Sequence, residues 1–288
     1  MVLVGRVFLG MVNSWTRGHP LSRHTRPENR EFAGIARVLL NNGEKDVVVF
    51  DINPSTKLLE DVKDRIEVIR GDLGNFSHVL NLVKNANPRA IYHLGGMLSV
   101  PSDADPAASF RANAMGTFHV LEAAKLFQVP QVLFSSTLAT YGLDVRADMV
   151  GDYTLQRPQL FCAKGNPFTI TVSPETRCPV MYYKDAALAM VKLAQAPLEN
   201  IQMVNYVIAG ATPIATAQEL VDIVKERIPT ARIDFQPDMA MQPILDKLLL
   251  PMDDRLARKE WGWEPSYDQE RIVDDFLEEL KAHPKRYE

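Results

Sequence analysis

Asp46-Val47-Val48-Val49-Phe50-Asp51 is an unbroken apolar run held between two aspartates. Three valines and a phenylalanine without polar alternation predict a short strand buried on both faces, as parallel sheets require. Upstream, Ile35-Ala36-Arg37-Val38-Leu39-Leu40 carries a helical apolar stripe that stops at Asn42-Gly43, a helix C-terminal signal. Downstream, residues 65–70 read as a strand and Asn75 to Asn87 as a helix with Val79, Leu82 and Val83 on one face. Residues 89–94 then read as a strand, Pro106 to Phe127 as a long helix and Gln131 to Phe134 as another strand. Strands separated by crossover helices predict an α/β fold: a doubly wound, Rossmann-like parallel sheet with its ligands at the carboxyl ends of the strands.

Beyond Gly142 the pattern changes. Residues 168–172, 205–208 and 232–235 read as strands, and residues 184–196, 217–227 and 267–282 as helices. Prolines 229, 237 and 243 predict loops in a small C-terminal α/β cap. The expected organisation is an irregular N-terminus over 1–30, a nucleotide-binding domain over 31–148 and a substrate cap with returning sheet elements over 149–288. Until Arg26 the chain has no acidic residue but carries Arg6, Arg17, His19, Arg23 and His24. That charge bias is compatible with a mitochondrial transit segment, but the plainer reading is a divergent N-terminus of a cytoplasmic protein.

Composition narrows the function classes. A net charge of −4 argues against nucleic acid as a principal partner. No uncharged run is long enough to span a bilayer. The two cysteines, Cys162 and Cys178, form neither a disulfide framework nor a metal site. A small-molecule substrate remains the expected partner.

Asp51, followed by Ile52, ends the second strand, where a carboxylate can hold adenosine ribose hydroxyls and repel a ribose phosphate, so NAD is favoured over NADP. A strand-end aspartate capping the turn before Pro54 would look the same. Asp72 and Leu73 follow the third strand, where a carboxylate and the neighbouring backbone can meet the adenine. Leu94, Gly95 and Gly96 end the fourth, where small residues admit close backbone approach. Asn113 on the long helix can hold a strand or a water in register. A phosphate loop is harder to find: Gly5 and Gly10 in Val2–Gly10 are candidate remnants of a shortened Gly-rich turn, with Gly34 a rival for its last glycine.

This ordered set resembles the extended short-chain dehydrogenase/reductase family, also called the NAD-dependent epimerase/dehydratase family. Within it, the likeness is greatest to the short-chain type of L-threonine 3-dehydrogenases. It is carried by residues 90–99, Pro174-Glu175-Thr176-Arg177-Cys178-Pro179-Val180-Met181-Tyr182, Asn205-Tyr206-Val207-Ile208-Ala209-Gly210 and Trp261-Gly262-Trp263-Glu264-Pro265. The resemblance implies hydride transfer from the substrate β-carbon to NAD, giving 2-amino-3-oxobutanoate. It also implies a tyrosine base whose pKa is lowered by a lysine, and a hydroxyl that orients the substrate. Thr137, with Ser136 beside it, matches that hydroxyl, and Ser99 matches a substrate contact.

The chain departs from the pattern at the base. None of its eight tyrosines is followed four residues later by lysine; Tyr153 has Arg157 in that place. Tyr141-Gly142 runs directly into a segment resembling what normally follows the catalytic helix, so deletion of that crossover helix is the expected cause. Its loss would uncover a sheet face, for which a homodimer contact is the expected compensation. Leu248 stands where the family has a tryptophan. Three activities remain open: an impaired threonine dehydrogenase, a sugar-nucleotide epimerase or dehydratase, and a catalytically inactive scaffold.

Overall fold

The computed structural model describes residues 7–11, 30–52, 57–97, 102, 104–135, 167–240, 242–249 and 251–284. Two compact units divide the chain, Met1–Ser135 and Ser136–Glu288.

In the first unit, β1 (Val7–Met11), β2 (Val47–Asp51), β3 (Ile66–Arg70), β4 (Ala90–His93) and β5 (Gln131–Phe134) form a parallel sheet in the order β3-β2-β1-β4-β5. The order reverses between β1 and β4, which makes the carboxyl edge there the switch point of a Rossmann-like sheet. All five residues of β2 are buried. Because successive side chains point to opposite faces, apolar cover is needed on both. Val48, Phe50 and Ile91 enter a core shared with Val79, Leu82 and Val83 of α2 (Phe76–Ala86). α1 (Arg30–Asn41), with Phe32, Ile35, Ala36 and Leu39 buried, packs against β1 and β2.

Side chains fix the ends of α2. Asn75 caps its start by accepting from the amides of Ser77 and His78. At its end Asn87 adopts the left-handed conformation, with φ 43°, which asparagine tolerates better than most residues. The long helix read at Pro106 is three segments: α3 (Pro106–Phe110), a π turn (Arg111–Met115) and α4 (Gly116–Leu126). Asp105 caps it and Pro106 fills the first position, where its missing N–H is not needed.

The second unit is built on smaller sheets. β6 (Phe168–Ile170) pairs in parallel with β9 (Ile233–Phe235), and β7 (Arg177–Cys178) antiparallel with β8 (Ala215–Thr216). Around them lie α5 (Tyr183–Gln195), α6 (Ala217–Arg227), α7 (Gln242–Leu248), α8 (Arg255–Trp261) and α9 (Gln269–Ala282). Thr216 and Glu219 form a reciprocal capping box at the start of α6. Val221 and Val224 of α6 meet Val273 of α9 and Ile233 of β9 in one apolar cluster.

Several expectations need correction. Residues 205–208 are not a strand: their backbone joins no sheet, and Tyr206 and Ile208 instead pack against Trp263 and Ala189. Pro243 sits in the first turn of α7 rather than in a loop. Gly10 lies within β1, paired with Phe50 and His93, so it is a strand residue and not part of a turn. α1 opens at Arg30, ahead of Ala33, which puts Gly34 inside the helix. The segment after Tyr141-Gly142, where loss of a crossover helix is expected, falls outside the described residues.

Candidate functional site

The carboxyl edge of the first sheet gathers most of the candidate residues. Register places Asp51 between Met11 of β1 and Arg70 of β3. Asp51 is 1% exposed. The Arg70 guanidinium donates from Nε to the Ile52 carbonyl at 3.2 Å, fixing the chain just past β2.

After β3, Asp72 accepts from the Gly74 amide at 2.8 Å and donates its own amide to His78 Nδ1 at 3.2 Å. Leu73 is fully buried. Its carbonyl accepts from His119 Nδ1 at 2.8 Å, which makes Nδ1 the protonated nitrogen of that ring. Asp72 and Leu73 thus build the turn itself, beyond the ligand contact expected of them.

The segment after β4 is held from α3 and α4. A Cβ on Gly95 would stand 2.3 Å from Leu73 Cδ1 and 3.3 Å from His93 Cε1, so a larger residue would have to displace the buried Leu73 side chain. Leu94 and Gly96 are half-buried in the same segment. Asn113, in the π turn, accepts from the Met97 amide through Oδ1 at 2.5 Å and donates through Nδ2 to the Met97 carbonyl at 3.0 Å. Ser102 donates to that carbonyl at 3.0 Å. The Asn113 side chain thus ties the irregular segment after β4, one residue past Gly96, to the π turn.

His93, quoted in the motif but given no role from sequence, is the main addition. It is 1% exposed. Its Nε2 lies 2.9 Å from Thr117 Oγ1, and Thr117 spends its single hydroxyl proton on the Asn113 carbonyl at 2.7 Å. His93 Nε2 must therefore be the donor, which leaves Nδ1 as an acceptor, buried and without a hydrogen-bond partner among the described residues. The Phe134 ring stacks on it with centroids 5.2 Å apart. Burial pushes the His93 pKa down to about 4.

An acid-lability prediction follows from that shift. Between about pH 6.5 and 4 the unfolded chain takes up a proton that folded His93 refuses. The contribution is present in full above pH 6.5 and is lost as pH falls toward 4. It amounts to about 3 kcal/mol, since each tenfold change in proton affinity is worth ~1.4 kcal/mol. Urea unfolding of the parent and His93→Gln at pH 7.5 and 4.5 checks this. Equal losses in the two proteins would refute it.

One Tyr–Lys association is present in the second unit, and its chemistry is wrong for a base. Tyr182 donates to Asp275 at 2.7 Å and Lys184 to the same carboxylate oxygen at 2.6 Å. Burial, with Tyr183 and the two carboxylates next to it, drives the Tyr182 pKa far above the usual phenol value. A base needs the opposite shift. The group ties α5 to α9.

Thr137, Ser136, Ser99, Gly5, Tyr153 and Arg157 lie outside the described residues. Leu248 ends α7. Among the described residues, no group of His, Cys, Asp or Glu could hold a metal ion, and no helix is long and apolar enough to cross a membrane.

A family profile described as GDP-mannose 4,6 dehydratase matches residues 34–159. The mitochondrial L-threonine 3-dehydrogenase of Bos taurus is 24% identical over 296 residues, covering 85% of this chain and 78% of that protein. Among solved structures, the GalE-like L-threonine dehydrogenase from Cupriavidus necator, in its holo form, superposes with a TM-score of 0.76 at 17% identity, covering 96% of this chain and 99% of that one. The Bordetella bronchiseptica enzyme WbmH in complex with NAD+ gives 0.69, also at 17% identity, with 96% and 99% covered. At such identities the structural likeness establishes the fold.

Proposed function

We infer that the chain is an NAD-binding oxidoreductase of the L-threonine 3-dehydrogenase type, within the NAD-dependent epimerase/dehydratase family, with much-reduced turnover. The observation that carries the cofactor reading is Asp51, a buried carboxylate ending β2, one strand from the point where the strand order reverses. The carboxylate and the close backbone at Gly95 and Gly96 fit the adenosine half of a dinucleotide. Bound there, NAD+ supplies the hydride acceptor. Asp51 would hold the ribose hydroxyls and exclude a 2′-phosphate, the Leu94–Met97 backbone would support the dinucleotide, and Thr137 and Ser136 would orient the substrate oxygen, with Ser99 beside it.

The substrate reading rests on the quoted cap motifs together with the bovine relative. The dehydratase profile favours a second reading, a sugar-nucleotide epimerase or dehydratase, and the missing Tyr-x-x-x-Lys pair favours a third, an inactive scaffold. Calorimetric titration separates them. NAD+ is expected to bind and NADP+ to bind at least about tenfold more weakly, the effect of one repelled charge worth ~1.4 kcal/mol. Heat from a UDP- or dTDP-sugar and none from threonine would transfer the chain to the second reading, and absence of NAD+ binding to the third.

A homodimer belongs to the same proposal. Phe110, Phe118 and Leu121 on α3 and α4 are each half or more exposed, an apolar surface that a second copy would cover. Light scattering decides between one and two copies. The bovine relative is a mitochondrial protein; for this chain a cytoplasmic location remains the simpler proposal.

A further inference from the structure

We propose that His93 is a positioning residue, the anchor of a closed circuit of side chains that sets the span of the Leu94–Met97 segment. The inference rests on the reading above, in which that segment carries the dinucleotide. It adds a residue and a mechanism to that reading.

The segment leaves β4 at His93 and has no secondary structure of its own over residues 94–97. A free loop of that kind would sample many backbone conformations, and fixing each residue costs roughly 1–2 kcal/mol. Here both ends are tied. At the near end the His93 carbonyl takes the Ser135 amide at 3.1 Å, beyond the last paired residues of β4 and β5. At the far end Met97 offers both its backbone groups to the Asn113 side chain, and Ser102 adds a second donor to the carbonyl.

What joins the two ends is a line of side chains. His93 donates to Thr117, Thr117 donates to the Asn113 carbonyl, and the Asn113 side chain clasps Met97. The backbone from residue 93 to residue 97 and the side-chain line 93–117–113–97 close on each other. The π turn at Arg111–Met115 sits in the middle of that line, with the Gly116 amide reaching the Arg111 carbonyl five residues back. Such turns add a residue to the helical ring and turn side chains away from their α-helical directions.

Hydrogen-bonding capacity leaves little slack. The Thr117 hydroxyl has one proton, committed to Asn113, so it can only accept from His93. Both ends of the Asn113 amide are used on one residue. The imidazole is braced by Phe134 stacking, and Gly95 supplies the space beside Cε1 and Nδ1 that a side chain would fill. None of these groups needs to touch a ligand to control one. They fix where the segment's backbone stands.

Thr117→Val tests the circuit, because it keeps the shape and removes both hydrogen bonds. Amide exchange at Met97 is expected to speed up at least about fivefold, the effect of losing one net hydrogen bond, while amides in β2 and α2 keep their rates. NAD+ affinity measured by calorimetry is expected to fall by a similar factor. Thr117→Ser, which restores the hydroxyl, should return both readouts to within about twofold of the parent. Should Thr117→Val fail to fold, Thr117→Ala, with room for a water, is read the same way. Unchanged Met97 exchange in a folded hydroxyl-less variant overturns the proposal, as does weaker NAD+ binding without faster exchange. If the parent chain binds no NAD+, the cofactor reading fails separately, and Met97 exchange alone decides the circuit.

Discussion

Gly210→Ala is expected to destabilise the second unit by at least about 3 kcal/mol, at the upper end of overpacking effects. A Cβ built on Gly210 would stand 2.0 Å from the Val180 carbonyl oxygen, 2.8 Å from its carbon and 2.6 Å from Met181 Cα. All three are backbone atoms, so no rotamer change relieves the clash. Retreat of the backbone is blocked on both sides. The Ala211 amide donates to that same Val180 carbonyl at 2.8 Å, and Trp263 Nε1 donates to the Ala209 carbonyl at 3.0 Å. Relief therefore breaks a buried hydrogen bond, at a further cost of about 1–3 kcal/mol. Trp263 is fully buried and Trp261 packs 5.8 Å from it, so tryptophan fluorescence during urea unfolding reports the loss directly. A change below about 1 kcal/mol, the size of an ordinary surface substitution or little more, would contradict the geometry.

Gly210 also shows how sequence and structure diverge in this chain. Residues 205–210 are legible as a family motif, but the apolar run within 205–208 reads as a strand. Burial against Trp263 explains the same apolar positions without a ladder partner, and periodicity cannot tell the two apart over four residues. The first unit is more transparent because β2 and β4 are continuous buried runs and α2 carries a helical apolar stripe. Two-residue strands such as β7 and β8 carry no period at all. Pro243 looks like a loop residue until its place in a first helical turn is seen.

The site divides the same way. Asp51, Gly95 and Gly96 are legible because strand ends and glycines have positional meaning in a doubly wound sheet. His93 is not. Its part depends on a tautomer fixed by Thr117, which in turn depends on where Thr117 sends its proton. Residues 93 and 117 lie twenty-four positions apart, on a strand and a helix, and only the fold brings them to 2.9 Å.

Threonine-dependent NADH formation is expected to run about 10²–10⁴-fold below that of the bovine relative assayed alongside it, the share that general-base catalysis supplies. The sequence has no tyrosine followed four residues later by lysine. Four of the described phenols are poorly suited to take over. Burial raises Tyr92 to about 12 and Tyr267 to about 12, and raises Tyr206 and Tyr182 as well. A phenol moved upward is protonated at neutral pH and cannot accept the substrate proton. Hydroxide then becomes the base, and the rate should climb about tenfold per pH unit between 6.5 and 9.5 with no plateau. On the proposed role of Thr137 in orienting the substrate oxygen, Thr137→Ala should lower what remains. A plateau near pH 7 to 8 would identify a side-chain base and overturn the account. A rate equal to the relative's would do the same, since positioning alone cannot replace a proton acceptor.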